Sequence, residues 1–357
     1  MSKPTIESLS EQVRGEIITE NDDRYEEARR VYNGMIDKRP KAIVRPSDQA
    51  DVISVVRFAG ETGMDLSIRG GSHSVPGFGT NDGGVVLDLS SMRGTRVDPR
   101  NNSVRAQGGC LWGDLDHATH AFGLATVGGV VSTTGIGGLT LGGGFGYLAR
   151  GHGLSIDNLI SADVVTANGE LVHASEDDHA DLFWALRGGG GNFGVVTDFE
   201  FRLHPISMIY GGPIFYEAAR ARDVLQAFKT YFADAPRDLG GFLAWQIAPA
   251  VPFIPEDRHG ETMCAIIAAW AGSLDQGEAA FKPLMDAAPV VAHNVGPIPY
   301  PALNSAFDLP NRPAALLEGE LRGGAERQPH RRAPRARPRG PGGRVGDAHP
   351  SDQRRRP

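Results

Sequence analysis

The sequence predicts an α+β fold: a two-lobed first domain, then a second lobe in which helices cover one face of an antiparallel sheet. Three observations predict it. Residues 38–205 alternate short apolar stretches with glycine-rich turns and few helical patterns. The composition changes near His204-Pro205. Beyond that point residues 210–216 and 265–271 read as strands, whereas 218–232 and 274–286 space their apolar residues at three and four, as helices do.

Residues 1–37 are expected to form a helical N-terminal segment. Ser47 and Asp48 are N-cap candidates for a helix through Phe58, with Val52, Val55, Val56 and Ala59 on one face. Leu66 and Ile68 then alternate with polar neighbours, and Val85, Val86 and Leu87 form an apolar run that ends at Asp88. Between these strand-like stretches lies Arg69-Gly70-Gly71-Ser72-His73-Ser74, with Gly77 just beyond. A strand that breaks into such a loop exposes backbone N–H groups with no side chains in the way, which suits a diphosphate. Arg69 could add its planar fork to phosphate charge. His73 would then stand beside whatever the loop holds. A surface turn with an incidental histidine fits the hexapeptide equally well.

A second cluster shifts that balance. Residues 128–146 carry nine glycines in nineteen positions. Val131, Ser132, Thr133, Gly135, Gly137, Gly138, Gly142, Gly143 and Gly144 are its candidate ligand-contacting residues. Glycine is entropically costly, so such density marks a backbone pressed against a large flat or phosphorylated ligand. A dinucleotide fingerprint starting at Gly135-Ile136-Gly137 fails, because Thr140 stands where a glycine is required. No Gly-Lys-Ser/Thr phosphate loop occurs. A third cluster, 187–196, contributes Gly194 and Val195 as further candidates.

Together these clusters resemble the FAD-binding domain of the vanillyl-alcohol oxidase and p-cresol methylhydroxylase superfamily, on its berberine-bridge-enzyme-like branch. The resemblance spans roughly residues 30–310. It includes Arg39-Pro40, Ile43-Val44-Arg45-Pro46, the Arg69–Ser74 loop, Gly108-Gly109 with Trp112, the glycine run and Asp157-Asn158-Leu159. It also includes the stretch Asp181-Leu182-Phe183-Trp184-Ala185-Leu186-Arg187-Gly188-Gly189-Gly190. It implies a PCMH-type FAD-binding domain over 38–205 and a partial substrate domain over 206–311. Pro299-Tyr300-Pro301-Ala302-Leu303 is similar to a segment of that second lobe. The resemblance also implies FAD bonded covalently through His73. Many relatives add a cysteinyl link shortly before the glycine run, where this chain has Val131, so one link is expected. The implied reaction passes a hydride from an alcohol, sugar or secondary-metabolite substrate to the flavin, with O2 as final acceptor and H2O2 as product. No catalytic base is assigned. Tyr147, Arg150 and His152 either face the cofactor or close a turn.

Composition bounds the remaining classes. At 357 residues and 40% apolar content the chain can bury a large core. It has no run of eighteen apolar residues and no apolar core near Met1, so a cytoplasmic protein without membrane contact is expected. Cys110 and Cys264 are the only cysteines and read as small buried hydrophobes. His117 and His120, three apart on an expected helix over 112–121, lack a third ligand, so no metal is expected.

Residues 1–310 hold 24 Lys+Arg against 38 Asp+Glu, a charge of −14, whereas 311–357 carry +7 through twelve arginines and no lysine. A nucleic-acid-binding arm would use lysine as well, so no such partner is expected. Back-translated with GC-rich codons and read one nucleotide later, Arg312 to Gly324 can yield GLRHYWKANFVA, a family-like string. The same shift turns 345–357 into another. Residues 312–357 are therefore expected to be out-of-frame and disordered, leaving the substrate lobe incomplete. The alternative function is a non-catalytic or unstable FAD-binding product of a frameshifted gene.

Overall fold

The computed structural model describes residues 4–308, so the expectations for 312–357 lie outside the described residues. Three sheets organise it. In the first, Ala42–Arg45 and Leu66–Arg69 flank Val85–Asp88, both parallel to it, and Glu16–Thr19 pairs antiparallel at one edge. The N-terminal segment is thus not purely helical. It holds helices Ile6–Ser10 and Tyr25–Ala28, but Ile17 and Ile18 pair with Val44 and Ile43 and join the sheet. Two adjacent isoleucines gain more from this edge than from a short isolated helix.

Helix Gln49–Thr62 links the first two parallel strands. Asp48 caps it by accepting from the Ala50 and Asp51 N–H groups. Its buried face of Val52, Val55, Val56, Phe58 and Ala59 packs on Val44, Val85 and Leu87. The helix runs past Phe58 to Gly63, the first residue free to take the left-handed terminating conformation, at φ 71°. The wholly buried Asp51 carboxylate accepts from the backbone N–H groups of Arg14 (2.8 Å), Gly15 (2.9 Å) and Ser47 (2.8 Å). It ties the N-terminal strand to the helix.

The second sheet is antiparallel, in the order Thr95–Asp98, Ser103–Gln107, Val195–Arg202, Leu159–Val165, Leu171–Ser175. Helices Trp112–His120 and Ala180–Leu186 pack on it through Trp112, Leu115, Phe183 and Leu186. The third sheet matches the expected antiparallel lobe. Strand Met208–Glu217 pairs with Thr262–Trp270, with Val290–His293 and with Gly296–Pro299, and Leu239–Ile247 forms an edge. Helices Ala221–Asp234 and Gly277–Met285 cover one face, over Ile214, Cys264 and Ile266. The opposite face, with Met263, Ala265, Ile267 and Ala269, packs on Val127, Tyr147 and Leu148, which flank the glycine run. With both faces buried, Thr262–Trp270 is apolar in nearly every position rather than alternating. Among the described residues no helix is long and apolar enough to cross a membrane.

Arg150 fastens the lobes. Its guanidinium donates to the carbonyls of Phe232, Ala235, Pro236 and Leu239 and lies 5.2 Å from the centre of the Phe232 ring. It satisfies carbonyls left open at the end of helix Ala221–Asp234. Nearby, His152 and His204 lie with ring centroids 3.9 Å apart, and His204 Nε2 meets Asn158 Oδ1 at 2.7 Å. Of the two alternatives for Arg150 and His152, these contacts fit the structural one.

Two stability tests follow from this packing. Asp51→Ala leaves three backbone donors unpaired and should cost about 3 kcal/mol in urea unfolding, against about 1 kcal/mol for the exposed cap variant Asp48→Ala. Burial, then the His152 and Arg202 charges, pull His204 down to about 4 from 6.5. Between those values the unfolded chain binds a proton at His204 that the folded chain does not, so this group makes stability fall as pH drops from 6.5 toward 4. Burial raises Asp116 to about 7, which acts in the opposite sense over the same window. The His204 contribution is therefore read as a difference: His204→Gln should lose less stability than the parent between pH 6.5 and 4.5. Equal losses would refute it.

Candidate functional site

Two glycine loops from different sheets meet backbone to backbone. The first follows strand Leu66–Arg69, and the second precedes helix Ile136–Leu141. A Cβ on Gly71 would lie 2.2 Å from the Gly135 nitrogen, and one on Gly135 would lie 2.3 Å from the Gly71 nitrogen. No other residue type fits either position. Between the loops opens a cavity of about 490 Å³, within the range of roughly 300–1,000 Å³ typical of ligand sites.

Of the residues expected at the ligand, Arg69, Gly70, Gly71, Ser72, His73, Ser74, Gly135, Gly137, Gly138, Gly142 and Gly194 line this cavity. The others do not, each for a local reason. Gly77, at φ 78°, turns the loop against Ile36. Val131 and Ser132 lie on the turn behind, and Thr133 reaches His73 without lining the cavity. Gly143 and Gly144, at φ 117° and 73°, carry the chain away, with Gly144 packed on Ser155 and Leu139. Val195 belongs to the core beneath the first sheet, and its strand neighbour Val196 takes the lining place because successive side chains alternate in direction. Phe78, Leu89, Gly108, Gly190, Gly191 and Phe199 are among the other residues of the wall. Gly108, Gly190 and Gly191 sat in glycine motifs and were legible; the three apolar residues carried no signal distinguishing them from core.

Arg69 requires a correction. Its guanidinium is buried and faces protein acceptors: Nε donates to Gly79 O at 3.0 Å, and the terminal nitrogens donate to the carbonyls of Ala28 and Arg29. Asp88 lies 3.8 Å away. The fork that was expected to meet phosphate instead braces the loop.

His73 is gripped on three sides. Nε2 is 3.1 Å from Thr133 Oγ1, Nδ1 is 3.4 Å from Thr134 Oγ1, and Tyr32 stacks on the ring at 4.1 Å between centroids and 17° between planes. Tyr32 was not foreseen, since nothing in its loop sequence links it to a histidine 41 positions on. Ser72, just before, holds φ 61°, an uncommon conformation for a residue with a side chain. Burial lowers the His73 pKa, opposed by the Asp308 charge and a Thr133 hydrogen bond, so the imidazole is neutral at pH 7. Cys110 is buried, its thiol turned to Gly94 O at 3.6 Å and pushed up to about 12 by burial. Tyr147 lies outside the cavity, buried between the lobes. Among the described residues, none lining the cavity is a carboxylate or a tyrosine.

A glycine-walled cavity between two α+β lobes, with one neutral histidine on its wall, defines a cofactor-binding site. Residues 40–175 match the FAD binding domain family. The chain is 36% identical over 268 residues to (R)-6-hydroxynicotine oxidase of Paenarthrobacter nicotinovorans, covering 74% of this chain and 57% of that protein. The crystal structure of 6-hydroxy-D-nicotine oxidase from Arthrobacter nicotinovorans superposes with a TM-score of 0.76 at 29% identity, over 85% of this chain and 66% of the other. Glucooligosaccharide oxidase from Acremonium strictum, which carries a 6-S-cysteinyl, 8α-N1-histidyl FAD, superposes at 0.72 with 27% identity, over 85% and 62%. The chain thus carries an FAD binding domain and is similar over most of its length to FAD-linked oxidoreductases. It spans about half to two thirds of the length of the curated relatives it matches.

The site's dependence on the glycine contact is testable. Gly135→Ala should abolish flavin retention, read by absorbance of the purified protein, whereas Gly60→Ala, on helix Gln49–Thr62 with open space at its Cβ and outside the cavity, should retain it. Flavin bound equally by both variants would refute the close-approach argument.

Proposed function

We propose that this chain binds FAD in the glycine-lined cavity, bonds it once through His73, and serves as an FAD-dependent oxidase of a small alcohol, sugar or secondary metabolite. The observation that carries the proposal is the position of a neutral His73 on the wall of a cavity built around Gly71 and Gly135. The residues present fit the cofactor: the glycine walls leave room for close approach by a flat, phosphorylated ligand. Gly70, Gly71, Ser72 and Ser74 would hold it from the first loop, and Gly135, Gly137, Gly138, Gly142 and Gly194 from the second lobe. Residues 38–205 would form the FAD-binding domain and 206–311 part of the substrate lobe.

In the tautomer whose Nε2–H donates to Thr133 Oγ1, the closer hydroxyl, Nδ1 carries the lone pair and would be the nucleophile once its longer contact with the Thr134 hydroxyl is given up. The threonines fix the ring's rotation and Tyr32 fixes its plane, so the imidazole is oriented before the ligand arrives. The walls formed by Leu89, Leu139, Val196 and Phe199 exclude water. Val131 replaces the sulfur needed for a cysteinyl link, and Cys110 is buried with a raised thiol pKa, so a second link has no donor here. Bound FAD would accept a hydride from a carbon activated by an adjacent oxygen or nitrogen, with O2 taking the electrons as H2O2. The charge of −14 over residues 1–310 favours small substrates over polyanions.

Acid precipitation of the purified protein should leave the flavin in the pellet, with the adduct on the tryptic peptide containing His73. His73→Ala should release the flavin on denaturation. A colourless pellet from the parent, or an adduct on the Cys110 peptide, would refute the proposal.

A further inference from the structure

Helix Tyr300–Asn304 returns from the third sheet to the first domain. Tyr300 and Leu303 are buried against that domain, and Asn304 Nδ2 donates to the buried Asp116 carboxylate at 2.5 Å. Four residues further on, the Asp308 carboxylate accepts from the Ser132 backbone N–H at 2.9 Å and also from the Ser132 hydroxyl. Ser132 is followed directly by the two threonines whose hydroxyls meet the ring nitrogens of His73.

The turn over 131–134 is closed by Thr134 N donating to Val131 O at 3.2 Å. Its carbonyls are held from the first domain, because Trp112 N and Gly113 N donate to Thr134 O and Ser132 O at 3.0 and 2.9 Å. The donors of Ser132 point the other way and end on Asp308. One carboxylate, brought in from the second domain, thus completes the fixation of the turn that holds the histidine.

We propose that Asp308 is a positioning residue for His73: by fixing Ser132 it sets the 131–134 turn, and the turn sets the orientation of the imidazole toward the cavity. This rests on the reading of His73 as the FAD attachment point. It adds that the second domain takes part in preparing that residue. A charge-assisted pair of bonds to one serine is stronger than neutral equivalents, which suits a role in holding a short turn. Asp308 is also the charged group that opposes the lowering of the His73 pKa by burial, so its carboxylate acts at the ring through space as well as through the turn. The two effects separate by substitution. Asp308→Asn removes the charge but keeps an oxygen that can accept from Ser132; Asp308→Ala removes both; Ser132→Ala removes only the hydroxyl donor.

Two readouts decide it in the full-length chain. One is the fraction of flavin that stays on the protein in a denaturing gel after incubation with FAD. The other is the midpoint of the His73 imidazole titration, followed by NMR without flavin. Asp308→Ala should lower the covalent fraction about fivefold, the factor to which one hydrogen bond's net contribution corresponds. It should also lower the His73 midpoint. Asp308→Asn should recover most of the covalent fraction while its midpoint stays low, which a purely structural role would not produce. Ser132→Ala should fall between the parent and Asp308→Ala. A parent-like covalent fraction together with an unchanged midpoint in Asp308→Ala and Asp308→Asn overturns the inference. If the parent itself takes no covalent flavin, the reading of His73 fails separately. The NMR contacts between the His73 ring and the Thr133 and Thr134 side chains then decide, their loss in Asp308→Ala but not in Asp308→Asn supporting the positioning role and their persistence in both refuting it.

Discussion

The contact between the backbones of Gly71 and Gly135 is the constraint on which the rest of the structure depends. Gly71 follows strand Leu66–Arg69 and Gly135 caps helix Ile136–Leu141, and each nitrogen occupies the space where the other's side chain would begin. Because the two loops can touch, the sheets come together at their ends, and the space beside the contact becomes a cavity. Gly108 repeats the arrangement, with a Cβ position 2.4 Å from Val196 O. A larger residue at any of these places would wedge the lobes apart and move His73 away from the opposite wall. The conformational entropy lost by so many glycines is therefore the cost of this closeness, offset by the cores on either side.

The glycine run works in two directions. Ile136 and Leu141 anchor it in the core of the second sheet, while Val127, Tyr147 and Leu148 anchor its two ends in the core of the third. On the third-sheet side a Cβ on Gly240 would stand 1.7 Å from Tyr147 O, another backbone contact that only glycine permits. Arg150 then locks the junction through four carbonyls, those of Phe232 and Ala235 at the end of helix Ala221–Asp234 and those of Pro236 and Leu239 on the way to the next strand. The segment that forms one wall of the cavity is thus the same segment on which the third sheet docks.

What could be read from the sequence follows from which signals are local. The parallel pair Leu66–Arg69 and Val85–Asp88, helix Gln49–Thr62 and the paired helices of the third sheet all declared themselves by periodicity. Strands Leu239–Ile247 and Gly296–Pro299 did not, since glycines or prolines interrupt their alternation and their pairing is decided by partners far away. At the site, glycine clusters located both loops and His73, but not which members face inward. Val195 and Val196 differ by one step of a strand, and the direction of that step is set by the sheet rather than by either residue. Tyr32, Asp308 and the real partners of Arg69 lie 41, 235 and up to 41 positions from the residues they act on, and distance of that kind leaves no pattern in a single sequence.

The engagement of the Arg69 guanidinium with protein carbonyls changes how the site would balance an anionic ligand. It is the only cationic side chain among the described lining residues apart from a neutral His73, and its donors are already engaged with Gly79, Ala28 and Arg29 carbonyls. A guanidinium buried this deeply stays in place because its N–H groups are satisfied and Asp88 stands nearby, although burial still lowers its pKa. Compensation for phosphate charge is then left to peptide dipoles of the glycine loops. Such donors are fixed by the fold and carry no side-chain entropy to lose on binding. Arg69 would contribute indirectly, by bonding Gly79 across the loop and holding the 70–74 backbone in the shape that presents those dipoles. The arginine that sequence alone would set against a phosphate is, in the structure, the brace of the glycine backbone lining the cavity.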